Sequence, residues 1–258
     1  MQYHVVCAFT GEPFRGNPAG VCILDEPLPD ELMQKIAAEN RLSETTFLLE
    51  KAGQYHLRWF TPEVEIDLCG HATLATAYVL LNGTETCSTH VSFETASGTL
   101  EVTRENRLYW LDFPSRPPEP CPIPEGLEAA LGARVTETQL SRDLVILLED
   151  EKTLSALKPD MEKLKRITGP FGFIVTAKGD KCDFVSRFFA PNAGVDEDPV
   201  TGSSHTSLIP YWKKRLGKTD MTATQNSART GLLHCRDRGE RVQIGGEAVL
   251  YLTGEIVA

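Results

Sequence analysis

No Cys-x-x-Cys pair occurs among the 258 residues, and the seven cysteines are an odd number. Neither a disulfide framework nor a structural zinc site is indicated, so the thiols read as reduced or buried. The opening stretch, MQYHVVCAFTGEPF, lacks a basic region followed by a long apolar run, and no secretory leader is expected. No segment approaches the roughly 18 apolar residues of a membrane helix. Positive charge is short: 26 Lys and Arg stand against 36 Asp and Glu, a net charge of −10. Nucleic acid and anionic membrane surfaces are thereby disfavoured as partners. A small anionic molecule held by local donors is not. Nucleotide and metal signatures are missing too. No Gly-Lys-Ser/Thr follows the glycine-rich residues 16–20, no Gly-x-Gly-x-x-Gly follows a strand, and the six histidines form no His-Glu-x-x-His. The chain reads as cytoplasmic.

What is present is ordinary globular composition, 41% hydrophobic and 24% charged. Residues 5–9, 45–49, 55–60, 90–93, 99–103 and 108–113 alternate or carry β-branched and aromatic side chains, which predicts strands. Residues 30–40 begin after Pro29 with Asp30 and Glu31, which predicts a helix. Residues 70–81 are small and apolar nearly all round, the pattern of a helix buried on most faces. Six of the sixteen prolines fall in residues 114–124, which reads as an extended linker.

The second half then repeats the first. Arg58-Trp59-Phe60-Thr61-Pro62 matches Arg187-Phe188-Phe189-Ala190-Pro191, a step of 129 from Arg58 to Arg187. Gly70-His71-Ala72-Thr73 matches Gly202-Ser203-Ser204-His205, a step of 132, and Gly98-Thr99-Leu100 matches Gly231-Leu232-Leu233, a step of 133. Three blocks in one order at nearly one offset indicate a duplicated domain; solenoid periods are only about 20–50 residues. The expected fold is α+β: two similar domains, each a mostly antiparallel barrel-like sheet round one apolar helix, facing each other across a cleft. Domain boundaries are expected at 1–115 and 116–247.

Two glycine-led helix starts are expected, at Gly70 after Cys69 and at Gly202 before Ser203. Free N–H groups at a helix N-terminus favour an anion. The neighbouring Asp67, Thr201 and Ser203 serve equally as helix caps. Cys69, beside a helix start, is either a reactive thiol or a buried inert one. A two-thiol mechanism is disfavoured, because the second half supplies Asp198-Pro199-Val200-Thr201 where a second cysteine would stand. Glu44 falls between the first helix and a strand, on a loop. A carboxylate among apolar walls can act as general acid or base, although most lone glutamates are solvated. His71 suits a substrate hydrogen bond; His205 reads equally as a packed histidine or a ligand contact. Asn17, in the Gly/Pro-rich stretch 11–22, can aim its amide at a ligand.

These residues together resemble the phenazine-biosynthesis PhzF-like family of the diaminopimelate epimerase superfamily. The resemblance rests on Gly16-Asn17-Pro18-Ala19-Gly20-Val21, Ser43-Glu44-Thr45-Thr46-Phe47, Cys69-Gly70-His71-Ala72-Thr73-Leu74-Ala75 and Glu197-Asp198-Pro199-Val200-Thr201-Gly202-Ser203. It spans essentially the whole chain and implies a last strand, 248–258, that returns to the first domain. It further implies a homodimer that uses no metal or organic cofactor. The implied chemistry moves a carbon-bound proton on a small carboxylate-bearing metabolite, with Glu44 as acid/base. His71 and Asp198 are implied to act beside it, Gly70 and Gly202 to bind the substrate carboxylate, and Ser203 to hold polar groups. The alternatives are an amino-acid epimerase that uses Cys69, or a metabolite-binding protein without catalysis. The chain departs from the family pattern in the polar Ser204-His205-Thr206-Ser207 run and in the single thiol at Cys69.

Overall fold

The computed structural model describes residues 1–83 and 88–257; Cys87 and Ala258 lie outside them. Contacts divide the chain into one unit of Met1–Asp112 with Gly245–Ala258, and a second of Phe113–Ile244.

In the first unit β1 (Gln2–Ala8), β2 (Asn17–Leu24), α1 (Asp30–Asn40), β3 (Glu44–Lys51), β4 (Gln54–Phe60), β5 (Glu65–Ile66) and α2 (Gly70–Gly83) come in that order. β6 (His90–Thr95), β7 (Gly98–Glu105) and β8 (Leu108–Pro114) follow. α1 starts where Pro29 fixes an extended φ and two acids enter the first turn. It ends at Arg41, whose left-handed backbone sends its N–H to the Ala37 carbonyl. Its Met33, Ile36 and Ala37 pack on Cys22, Leu24, Phe47 and Phe60 of the sheet. α2 is buried through residues 71–77 and touches β1, β2, β3, β6, β7 and the C-terminal strand. A helix with no polar face can be stable only when enclosed in this way. Burying a side chain such as Leu74 is worth about 1.5–3 kcal/mol. Its threonines are satisfied locally: Thr73 and Thr76 donate back to the Cys69 and Ala72 carbonyls at 2.6 and 2.9 Å.

The second unit holds β9 (Glu119–Cys121), α3 (Leu127–Leu131), β10 (Glu137–Leu140), β11 (Leu144–Leu147), α4 (Glu151–Ala156) and α5 (Met161–Leu164). β12 (Phe173–Lys178), β13 (Phe184–Ala190), β14 (Val195–Asp198), α6 (His205–Leu216), β15 (Asp220–Gln225), β16 (Gly231–Asp237) and β17 (Arg241–Gly246) complete the middle of the chain. The last strand, β18 (Ala248–Glu255), belongs to the first unit and pairs antiparallel with β1. The stretch 114–124 is not wholly a linker, since β9 inside it pairs with β10. Trp212 of α6 stacks on Phe184 of β13 with ring centres 5.6 Å apart. The Trp212 Nε1–H donates to Thr176 Oγ1 of β12 at 3.0 Å.

The repeat reappears as one pairing ladder run twice. β1 and β2 are antiparallel, β2 and β3 parallel, β3 and β4 antiparallel, β4 and β6 parallel, and β6 and β7 antiparallel. β10, β11, β12, β13, β15 and β16 follow the same sequence of senses. Even the arginines correspond. Arg58 of β4 forks onto Glu65 of β5, and Arg187 of β13 forks onto Glu197 of β14. The fold is α+β and sheet-dominated, as the sequence pattern predicts. Among the described residues, no helix is long and apolar enough to cross a membrane.

Candidate active site

Glu44 is the first residue of β3, in register with Ala19 of β2, and not a loop residue. Its strand is anchored just behind it. The Thr46 hydroxyl meets Thr76 Oγ1 at 3.0 Å and the Gly20 carbonyl at 3.2 Å. The Asn40 amide donates to Thr45 Oγ1 at 3.2 Å. Asn17 is fully buried at the start of β2 and accepts the Ser43 hydroxyl at 3.4 Å. Gly16, just before it, has φ +63°, and a Cβ there would stand 2.2 Å from the Ala8 carbonyl oxygen. Only glycine fits that turn.

The Glu44 carboxylate faces the first turn of α2. His71 Nε2 lies 3.0 Å from Glu44 Oε2, with both side chains largely buried. Both atoms are buried, and neither makes an aligned hydrogen bond within the protein. On the other edge of the ring, Nδ1 lies 3.4 Å from Cys69 Sγ. Burial alone would push the His71 ring down; the Cys69 sulfur and the Glu44 carboxylate more than reverse this and hold it well above the ordinary histidine range. Burial, then the Glu44 charge, push the Cys69 thiol up, against His71 and the Ala72 N–H. This thiol is therefore not predisposed to be a thiolate. Donor atoms of Glu44, Cys69 and His71 all lie within 4.8 Å of one another. The two short contacts use opposite nitrogens of the His71 ring, so sulfur, imidazole and carboxylate follow one another in a line.

In the second unit Asp198 ends β14, and Thr201 donates to its Oδ2 at 2.5 Å. Gly202 is buried and Ser203 half-buried in the turn that follows. The expected helix start at Gly202 is a correction: α6 begins at His205, with Ser204 as N-cap and no side-chain cap. The His205 and Thr206 N–H groups turn back to the Gly202 and Ser203 carbonyls. Gly202 thus sits in a tight turn ahead of the helix, not in its first turn. Ser203 caps nothing; its carbonyl accepts the Thr206 hydroxyl at 2.7 Å. His205 is fully buried, its Nδ1 2.9 Å from the Thr201 carbonyl, and burial lowers its pKa to about 4. It is a neutral packed histidine beside Phe184.

Gln225 of β15, unmarked by any motif, ties this turn together. It accepts from the Thr201 N–H at 2.9 Å and donates to the Asp198 carbonyl and Thr201 Oγ1 at 2.8 and 3.1 Å.

A strand-end carboxylate against a buried helix start, on this pairing ladder, defines the class: the diaminopimelate epimerase-like fold. The structure of a hydroxyproline epimerase from Agrobacterium vitis shares that fold at TM-score 0.61 with 12% identity, covering 99% of this chain and 90% of its own. More narrowly, residues 6–254 match the family model of phenazine biosynthesis-like proteins, and the chain belongs to that family. A Pseudomonas aeruginosa protein named an uncharacterized isomerase is 53% identical over 97% of this chain and 96% of its own. The mouse phenazine biosynthesis-like domain-containing protein 2 is 42% identical over 97% of each. The crystal structure of a PhzF-family protein from Enterococcus faecalis superposes with TM-score 0.98 at 50% identity, covering 100% of this chain and 99% of that one.

Proposed function

We propose that the protein is an isomerase that relocates a carbon-bound proton on a small carboxylate-bearing metabolite, with Glu44 as the general acid and base. The observation that carries the reading is the buried Glu44–His71 contact, in which Oε2 and Nε2 both lack an aligned partner. Such atoms are costly to bury unless a ligand completes them. Removing a carbon-bound proton needs a positioned base and stabilisation of the charge that develops. Glu44 is placed for the first task. The N–H groups at Gly70, in the first turn of α2, suit the second and also a substrate carboxylate.

A single carboxylate that takes and returns the proton acts on one face of the substrate. That fits a shift between two carbons better than inversion at one. The epimerase alternative needs a Cys69 thiolate, and burial works against it. In this reading Asp198, Gly202 and Ser203 hold polar groups of the substrate, and Asn17 orients it. No cofactor is needed, because side chains supply every group. We further place the protein in the cytoplasm as a homodimer. The exposed apolar run Leu250, Tyr251 and Leu252 on β18, with Phe14 edge-on to Tyr251, supports the second assignment.

The test is a comparison of binding with turnover. A panel of small amino acids and dihydro-aromatic acids is screened by melting shift against the native protein and Glu44→Gln. A compound that stabilises both, and gains deuterium from D₂O only with the native protein, fits the reading. A compound bound by both and exchanged by neither would make this a binding protein.

A further inference from the structure

The imidazole of His71 has two edges, and one contact cannot hold a ring. With Glu44 alone as partner, the ring could turn over and present carbon where Nε2 stands. The contact on the far edge removes that freedom. Cys69 Sγ lies 3.4 Å from Nδ1. The sulfur is itself fixed, because the Ala72 N–H at the start of α2 bonds to it. The Cys69 carbonyl is pinned as well, by the Thr73 N–H at 3.1 Å and the Thr73 hydroxyl at 2.6 Å. A ring flip would trade a nitrogen for a carbon at both the sulfur and the carboxylate, losing two polar contacts together.

We propose that Cys69 is a positioning residue: its sulfur holds the Nδ1 edge of His71 so that Nε2, and not a ring carbon, stands beside the Glu44 carboxylate. The proposal rests on the assignment of Glu44 as acid/base and adds to it a role for the thiol that is neither nucleophile nor base. In the resulting line the doubly protonated ring keeps its Nε2 edge beside the Glu44 carboxylate and donates Nδ1–H toward sulfur, and no bond to sulfur is made or broken. Among the described residues, the titratable groups that act on His71 are Cys69, at the start of its own helix, and Glu44, on β3. The raised basicity of the ring accords with a donor on each edge. Glycine, histidine and a small-residue helix explain a helix start at residue 70, but none of them explains the sulfur ahead of it.

The experiment is a titration of the His71 ring nitrogens by ¹⁵N NMR in the free protein, native beside Cys69→Ala and Cys69→Ser. The expected result is a His71 midpoint displaced to lower pH in Cys69→Ala, with Nδ1 no longer the protected proton. A folded Cys69→Ala whose His71 titrates as in the native protein would overturn the proposal. If Cys69→Ala does not fold, Cys69→Ser is read in the same way. If neither folds, the native spectrum decides: an Nδ1 proton shielded from solvent exchange supports the contact, and a rapidly exchanging one refutes it. Where a compound is turned over, Cys69→Ala should lower its deuterium uptake about tenfold, the scale of one hydrogen bond. The loss should grow as pH rises, because the active imidazolium is lost earlier. The spectra need no substrate, so they stand or fall apart from the functional reading: Glu44→Gln that kept full exchange would sink that reading and leave the ring geometry untouched.

Discussion

Gln225→Leu is the substitution that most directly probes how the second unit holds its turn. The side chain is fully buried and makes three hydrogen bonds, to the Thr201 N–H, the Asp198 carbonyl and the Thr201 hydroxyl. Leucine keeps most of the volume, so the cavity contribution is small. It removes the partner that Gln225 gives to two backbone groups, the Thr201 N–H and the Asp198 C=O. The Thr201 N–H loses a buried partner, at about 1–3 kcal/mol, and the Asp198 carbonyl loses one hydrogen bond, at about 0.5–1.5 kcal/mol, giving a total of about 2–4 kcal/mol. The Thr201 hydroxyl keeps Asp198 Oδ2 and adds little. For a chain of this size a loss of 1 kcal/mol lowers the melting point by about 2–4 °C, so a fall of about 10 °C is expected. Differential scanning calorimetry reads it, beside Gln225→Glu as a buried-charge control that should be worse. A Gln225→Leu protein that melts with the native one would refute the idea that this side chain carries the turn.

Three further outcomes follow from particular residues. His205→Asn should flatten the acid side of the stability curve. The folded histidine stays neutral down to about pH 4, whereas the unfolded one charges near pH 6.5. Native stability is therefore full above about pH 6.5 and falls by up to about 3 kcal/mol between there and pH 4; denaturation midpoints across that window should show the fall in the native protein and not in the variant. Gly16→Ala should cost more than about 1 kcal/mol from the positive φ alone, and more from the collision with the Ala8 carbonyl and Thr10, read as a lowered urea midpoint. On the proposed homodimer, Tyr251→Lys on exposed β18 should shift the sedimentation coefficient from dimer to monomer without changing the circular dichroism spectrum; an unchanged coefficient would count against a β18 interface.

The parts of the fold that the sequence revealed are those where local chemistry and tertiary packing agree. Pro29 with two acids marks the start of α1 at Asp30, and alternation marks β3 and β4 to within a residue or two. The uniformly apolar run after Gly70 announces a helix enclosed by sheet. Where several signals compete, the pattern misleads. Gly202 looks like a helix start by analogy with Gly70, but the backbone spends its next N–H groups on a tight turn and α6 waits until His205. Proline-rich residues 114–124 conceal β9, since Pro120 has no N–H to give and the strand is only three residues long.

The site divides in the same way. Glu44 is picked out only through the family motif, because a lone glutamate carries no local sign of burial, whereas His71 is marked by its place in a glycine-led helix start. Their 3.0 Å approach depends on β3 and α2 meeting in space. The contact between Cys69 and His71 was closer to legible, because residues two apart across a helix start can touch. Gln225 was not legible at all: a glutamine on a strand reads as a surface residue until its partners, 24 and 27 residues away in sequence, are in place.

Whether Glu44 moves a proton to and from carbon is read from deuterium uptake at carbon, followed by mass spectrometry in D₂O with the native protein and Glu44→Gln. The expected result is uptake into at least one small carboxylate-bearing compound, lowered on the order of 10²–10⁴-fold in Glu44→Gln. Uptake that survives Glu44→Gln undiminished and vanishes in Cys69→Ser would make the thiol, and not Glu44, the base.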